Sequence, residues 1–168
     1  MTTFDLRRLR IRSGDQARER FEIELEPLLL GGQAYEPRPN PAPAELTVTR
    51  ASSGTVLELA FDVSLEGPCF RCLTDAELPV SLRLREYEAT KPESDEERTE
   101  YLADERLDLS AWAHDSIALE LPDKILCRPD CAGLCPVCGK DLNAEPHEHA
   151  DERPDPRWAK LSELQRES

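Results

Sequence analysis

Aromatic side chains make up only 5% of the 168 residues, so any core must be aliphatic and rather small for the length. No run approaches the roughly 18 consecutive apolar residues that a membrane-spanning helix needs. The stretch from Met1 to Arg12 holds no apolar block resembling a signal peptide. A cytoplasmic protein is expected. Positive charge is in deficit as well: 21 Lys and Arg stand against 35 Asp and Glu, a formal net charge of -14. Such a surface repels a phosphate backbone unless its positive residues gather on one face. A basic protein partner is easier to bind than bare nucleic acid. No internal repeat is present. Hydrophobic residues account for 39% of the chain and charged residues for 33%, while fourteen prolines point to substantial irregular segments. A chain of this length can bury about 70% of its unfolded surface, which predicts one core with a small appendage.

Phe21, Ile23 and Leu25 alternate with Glu22, Glu24 and Glu26, the period-two pattern of a strand with one buried face. The proline-rich stretch from Pro27 to Pro43 is expected to interrupt regular structure. Leu46 and Val48 alternate with Thr47 and Thr49. After a turn at residues 51–54, Leu57, Leu59, Phe61, Val63 and Leu65 face one way and Glu58, Asp62 and Ser64 the other. These two segments predict a hairpin. A further alternating run sets Val80, Leu82 and Leu84 against Ser81, Arg83 and Arg85. Residues 91–100 are almost wholly charged or polar and predict a flexible, solvated acidic loop. Asp108 or Ser110 can cap a helix with Trp112 and Ile117 inside and Pro122 beyond its end, although Ile117 to Leu121 also fits a short strand. Trp158, Leu161 and Leu164 recur at a spacing of three, enough for a short terminal helix or a docked tail.

Six cysteines in a chain expected to stay in a reducing compartment point to metal ligands rather than disulfides. Cys135-Pro-Val-Cys138-Gly139 has the form of a zinc knuckle: two thiolates two residues apart reach one ion, and the glycine lets the backbone turn beneath it. Cys127 and Cys131 can complete a tetrahedral site, and His147 and His149 are the competing second pair. Four protein ligands make a closed structural site with no position for a catalytic water. With three ligands and a water, Glu148 could act as base, but neither a helical HExxH nor a deaminase HxE partnered by PCxxC stands in usable order. No enzyme is expected. Cys69-Phe-Arg-Cys72 remains open: half of a second metal site, a redox pair, two buried small residues, or partners of Cys135 and Cys138 in one shared site.

Arg71, Arg83 and Arg85 are the one modest basic accumulation, a candidate for nucleic-acid contact or, more simply, a solvated sheet face. His114 reads as a surface histidine. Trp112 and Trp158 read as core or docking residues.

These pieces together resemble the YceD family, bacterial and plastid proteins described as large ribosomal RNA subunit accumulation proteins. The resemblance is carried by Cys69-Phe-Arg-Cys72-Leu73, by Asp108-Leu109-Ser110 leading into Asp115-Ser-Ile-Ala-Leu-Glu-Leu-Pro122, by Cys131-Ala-Gly-Leu-Cys135-Pro-Val-Cys138-Gly-Lys-Asp-Leu-Asn143, and by Asp155-Pro156-Arg157 with Leu161 and Leu164. Family members of this type commonly close the third block with Cys-x-Cys where this chain has His147-Glu-His149. The resemblance thus implies that these histidines join Cys135 and Cys138 around a metal. It also implies a role in accumulation or processing of large-subunit (23S) ribosomal RNA, and it supplies no catalytic residue.

The expected fold is α+β: a curved, barrel-like antiparallel sheet with one or two helices over residues 1–122, and a zinc-stabilised, cysteine-rich C-terminal lobe over residues 123–168. The expected cofactor is structural Zn2+. The expected partner is a large-subunit ribosome precursor, through a basic ribosomal protein or 23S rRNA, with no membrane and no small-molecule substrate. A protein–protein adaptor or a thiol-redox protein is the alternative.

Overall fold

The computed structural model describes residues 1–94 and 97–149. Alternation of apolar and polar side chains produces the central hairpin, in which β5 (Ala42–Arg50) and β6 (Gly54–Pro68) pair in register from Ala44↔Phe61 to Arg50↔Thr55. Leu57, Leu59, Phe61, Val63 and Leu65 are buried on one face of β6. Glu58, Asp62 and Glu66 lie exposed on the other. The next strand, β7 (Asp75–Ala89), runs antiparallel along the whole of β6, from Gly54↔Ala89 to Pro68↔Asp75.

The opposite edge of β6 is shared. β5 occupies one part and is itself flanked by β2 (Gln16–Ile23). The other part takes β4 (Gln33–Arg38), which forms a hairpin with β3 (Leu28–Leu30). A separate three-stranded sheet joins β1 (Thr3–Asp5), β9 (Arg106–Asp108) and β8 (Leu102–Ala103).

Two expectations need correction. The sheet is antiparallel but not closed into a barrel: among the described strands β7 pairs only with β6, and none links it back to β2. The stretch from Pro27 to Pro43 also holds regular structure, namely β3, β4 and the start of β5. Pro37 pairs with Leu65 of β6 at a point past the end of β3, and Pro43 pairs with Glu22 of β2 before β6 has joined β5. Each proline therefore has a strand on one side only, where its missing N–H leaves no ladder position unfilled.

The described residues hold one α-helix, α1 (Leu109–Glu120). Asp108 caps it, its carboxylate accepting from the Ala111 N–H at 3.0 Å. Leu109, Trp112, Ala113 and Ile117 share the inward face and are buried. The strand alternative for Ile117 to Leu121 is not what forms. No described helix is long and apolar enough to cross a membrane. The expected terminal element around Trp158, Leu161 and Leu164 lies outside the described residues. The chain divides into two compact units, Met1–Cys131 and the part that begins at Ala132. Cys127 and Cys131, grouped by sequence with the C-terminal segment, fall in the first unit.

Candidate metal centres

The first site grows out of the β6–β7 turn. β6 ends at Pro68, whose carbonyl accepts a hydrogen bond from the buried Tyr35 hydroxyl at 2.8 Å. Gly67 permits this close approach, since a Cβ there would lie 2.5 Å from the Tyr35 ring. Cys69 to Thr74 then form a tight knuckle: the Cys69 N–H donates to the Thr74 carbonyl at 2.7 Å, and the Leu73 N–H donates to the Cys69 carbonyl at 3.0 Å. A second segment is tied to it through backbone and side chain. The Phe70 N–H donates to the Ile125 carbonyl at 2.8 Å, and Arg71 Nη1 donates to the Cys131 carbonyl at 2.7 Å.

These bonds bring Cys127 and Cys131 against Cys69 and Cys72. All four sulfurs lie within 4.8 Å of one another. Cys69 Sγ is 3.8 Å from Cys131 Sγ, and Cys72 Sγ is 3.6 Å from Cys127 Sγ. Four thiolates about 2.3 Å from a tetrahedral zinc would be about 3.8 Å apart, so the cage already has the size of that ion. Cys69, Cys72 and Cys131 are buried.

The second site repeats the same local frame. The Cys135 N–H donates to the Lys140 carbonyl at 2.8 Å and the Gly139 N–H donates to the Cys135 carbonyl at 2.8 Å, with Gly139 at a φ of +72°. An isolated bridge, Leu134↔Asp141, closes the turn. Cys138 Sγ lies 3.1 Å from Nε2 of His147, whose Nδ1 lies 2.7 Å from the Glu145 carbonyl. A protonated Nδ1 makes that contact, and in the neutral ring it leaves the Nε2 lone pair facing the sulfur, the arrangement a metal ligand requires. Cys135, Cys138, His147 and His149 each offer one donor atom, all within 4.8 Å of one another.

Electrostatics favour thiolate in both knuckles. Burial pushes the Cys69 thiol up, but N–H groups of Cys72, Cys127 and Arg71 outweigh it and bring the pKa down to about 6. Cys135 is likewise lowered to about 6, chiefly by the Cys138 N–H. Cys72 is lowered, first by the Thr74 hydroxyl. Cys127 is raised to about 12 by burial and by its neighbouring sulfurs, as expected where several thiols crowd together. His147 is raised, first by the Glu145 carbonyl.

The pairings differ from two of the sequence alternatives. Cys127 and Cys131 complete the Cys69–Cys72 site rather than that of Cys135 and Cys138, and Cys69 and Cys72 do not share a site with Cys135 and Cys138. His147 and His149, which the family resemblance joins to Cys135 and Cys138, lie within 4.8 Å of both sulfurs. The three arginines do not gather. Arg71 is bonded within the first knuckle, whereas Arg83 lies eight residues along β7 from Asp75, about 27 Å at strand rise. Arg83 Nη1 reaches the Asp62 carboxylate at 3.3 Å, and Arg85 stands opposite Glu58.

Sequence reading missed the role of Thr74, whose hydroxyl lies 3.0 Å from Cys72 Sγ. The one available signal was that two knuckles each need a second ligand pair, and the chain supplies two: Cys127 with Cys131, and His147 with His149.

A sequence model of the large ribosomal RNA subunit accumulation protein YceD matches residues 57–165. An uncharacterized protein of Mycobacterium tuberculosis is 38% identical over 125 residues, covering 71% of this chain and 60% of that protein. The Bacillus subtilis protein YlbN, also uncharacterized, is 28% identical over 115 residues, 64% of this chain and 66% of its own. A chloroplastic large ribosomal RNA subunit accumulation protein YCED homolog of Zea mays is 44% identical over 41 residues, 24% of this chain and 14% of that one. The chain thus spans about 60% of the length of the mycobacterial relative. No solved structure matches. With well over half of its length matched, and the β6–β7 knuckle, α1 and both ligand clusters inside the match, this chain belongs to the YceD family.

Proposed function

We propose that this protein is a non-catalytic assembly factor that supports accumulation of large-subunit ribosomal RNA in the cytoplasm, with a structural zinc in each ligand cluster. Family membership supports the ribosomal role. The observation that carries the scaffold reading is the completeness of the donor sets: four thiols in one cluster, two thiols and two imidazoles in the other. Sulfur and imidazole donors in tetrahedral groups of four suit zinc. A bound zinc would supply cross-linking of the backbone, and with all four positions filled by protein there is no place for a reacting water. Cys69, Cys72, Cys127 and Cys131 would hold one ion; Cys135, Cys138, His147 and His149 would hold the other.

The net charge of -14 favours a basic protein as the direct contact. Long-range attraction to a basic ribosomal protein on a large-subunit precursor speeds encounter and weakens as salt rises. Co-sedimentation of the native protein with large-subunit precursors, followed by identification of the bound protein and RNA, tests this reading. The expected result is association that falls with ionic strength. Native complexes free of large-subunit protein and rRNA would overturn it, as would turnover of a substrate that vanishes in a folded Cys135→Ser variant.

A further inference from the structure

We infer that β7 pairs with β7 of a second copy of this chain, antiparallel about Val80, to form one continuous sheet across a two-fold dimer. β7 is a fifteen-residue strand that, among the described residues, pairs only with β6. No backbone hydrogen bond among the described residues reaches its other edge between Asp75 and Ala89. A long unpaired edge of this kind is a template for another strand.

The strand's side chains select the partner. On its solvent face, acidic residues lie at one end, Asp75 and Glu77, and basic residues at the other, Arg83 and Arg85, all exposed. Parallel self-pairing would set like charges side by side. Antiparallel pairing centred on Val80 sets Asp75 opposite Arg85 of the second copy and Glu77 opposite its Arg83, and two-fold symmetry repeats both pairs. On the other face the same register sets Leu78 opposite Leu82, Ala76 opposite Leu84, and Val80 opposite itself. Leu78 and Leu84 are only half-buried in the single chain, so this pairing covers apolar surface left at the edge. Pro79 faces the free edge and lacks an N–H, so each Pro79–Ser81 pair beside the axis keeps one of its two backbone hydrogen bonds, and the charges and the apolar face set the register.

A second observation points to the same place. Glu36, Glu66 and Glu77 stand in register across β4, β6 and β7, three like charges on neighbouring strands. Among the described residues, Arg38 lies 3.9 Å from Glu66 and the Ser64 hydroxyl donates to Glu77 at 2.6 Å. Directly opposed like charges destabilise a sheet. Arg83 of the second copy would extend this row with the opposite sign.

Sedimentation equilibrium and light scattering on the full chain provide the test, with two charge-reversed variants: an acidic strand, Arg83→Glu with Arg85→Glu, and a basic strand, Asp75→Arg with Glu77→Arg. The parent is expected to be a dimer. In each variant the dissociation constant should rise on the order of a hundredfold, four favourable pairs having become unfavourable. Mixing the two variants should restore association as a one-to-one heterodimer, seen by native mass spectrometry. Circular dichroism and metal content of each variant check that the fold persists. A parent that stays monomeric throughout the micromolar range overturns the pairing, as do variants that dimerise like the parent or a mixture that fails to associate.

Discussion

The two knuckles share one backbone frame and differ in the residue that fills its left-handed fifth position. In each, the first cysteine accepts at its carbonyl from the fifth residue and donates from its N–H to the sixth. The fifth residue is left-handed in both, at a φ of +63° for Leu73 and +72° for Gly139. Glycine enters that region freely, whereas a leucine there costs about 1–2 kcal/mol. The strained version is the one on the sheet, held by Tyr35, by the Phe70–Ile125 bond and by Arg71. The relaxed version lies outside the large sheet, and Cys138 and His149 in its donor set are exposed. Strain is tolerated where surrounding structure over-determines the backbone, and glycine is needed where it does not.

Breaking each donor set in turn should separate them most sharply. Cys72→Ser is expected to remove one metal equivalent, measured by plasma emission, and to lower unfolding free energy by roughly 3–5 kcal/mol in denaturant titration. Cys138→Ser should remove the other equivalent while the sheet's unfolding transition stays in place. Equal damage from both variants would mean that the clusters are not independent. Arg71→Ala, which strips a side-chain donor from the Cys131 carbonyl, should cost roughly 2 kcal/mol without changing affinity for RNA. A loss of RNA binding with unchanged stability would reverse that assignment. Gly139→Ala should destabilise the second cluster by about 1 kcal/mol, read as weaker metal retention against a chelator. Smallest of all, Leu73→Gly should relieve strain and leave stability equal or up to ~1 kcal/mol higher. A clear loss would show that the Leu73 side chain, 56% exposed, makes a stabilising contact after all.

Much of the sheet was legible because period two is a local signal: the alternation in residues 57–65 and 80–85 needs only one buried face to be read. The helix was legible from Asp108 and the spacing of Trp112 and Ile117. Sheet closure was not, because alternation reports which face is buried and says nothing about whether the last strand meets the first. The proline-rich stretch misled because proline is excluded from a ladder only where a partner needs its N–H, and the one-sided neighbours of Pro37 and Pro43 are a tertiary fact. The cysteines were read as candidate ligands from composition and spacing. Their partition between two clusters was not, because proximity in sequence favoured joining Cys131 to Cys135, four residues along the chain, over joining it to Cys69. Those two are brought together by the Phe70–Ile125 and Arg71–Cys131 bonds, which no short-range pattern announces.

The wide separation of the first ligand pairs along the chain carries a consequence of its own. Cys72 and Cys127 are 55 residues apart, and the segment between them contains β7, β8, β9 and α1. An ion gripped there ties a long loop shut, and by the entropy of closing such a loop it would restrict the unfolded ensemble by roughly 4 kcal/mol. Cys138 and His147, nine residues apart, enclose only a short stretch and restrict far less. Occupancy of the first cluster would therefore keep the two ends of this long segment together even in the unfolded chain. Occupancy of the second would shape only its own turn.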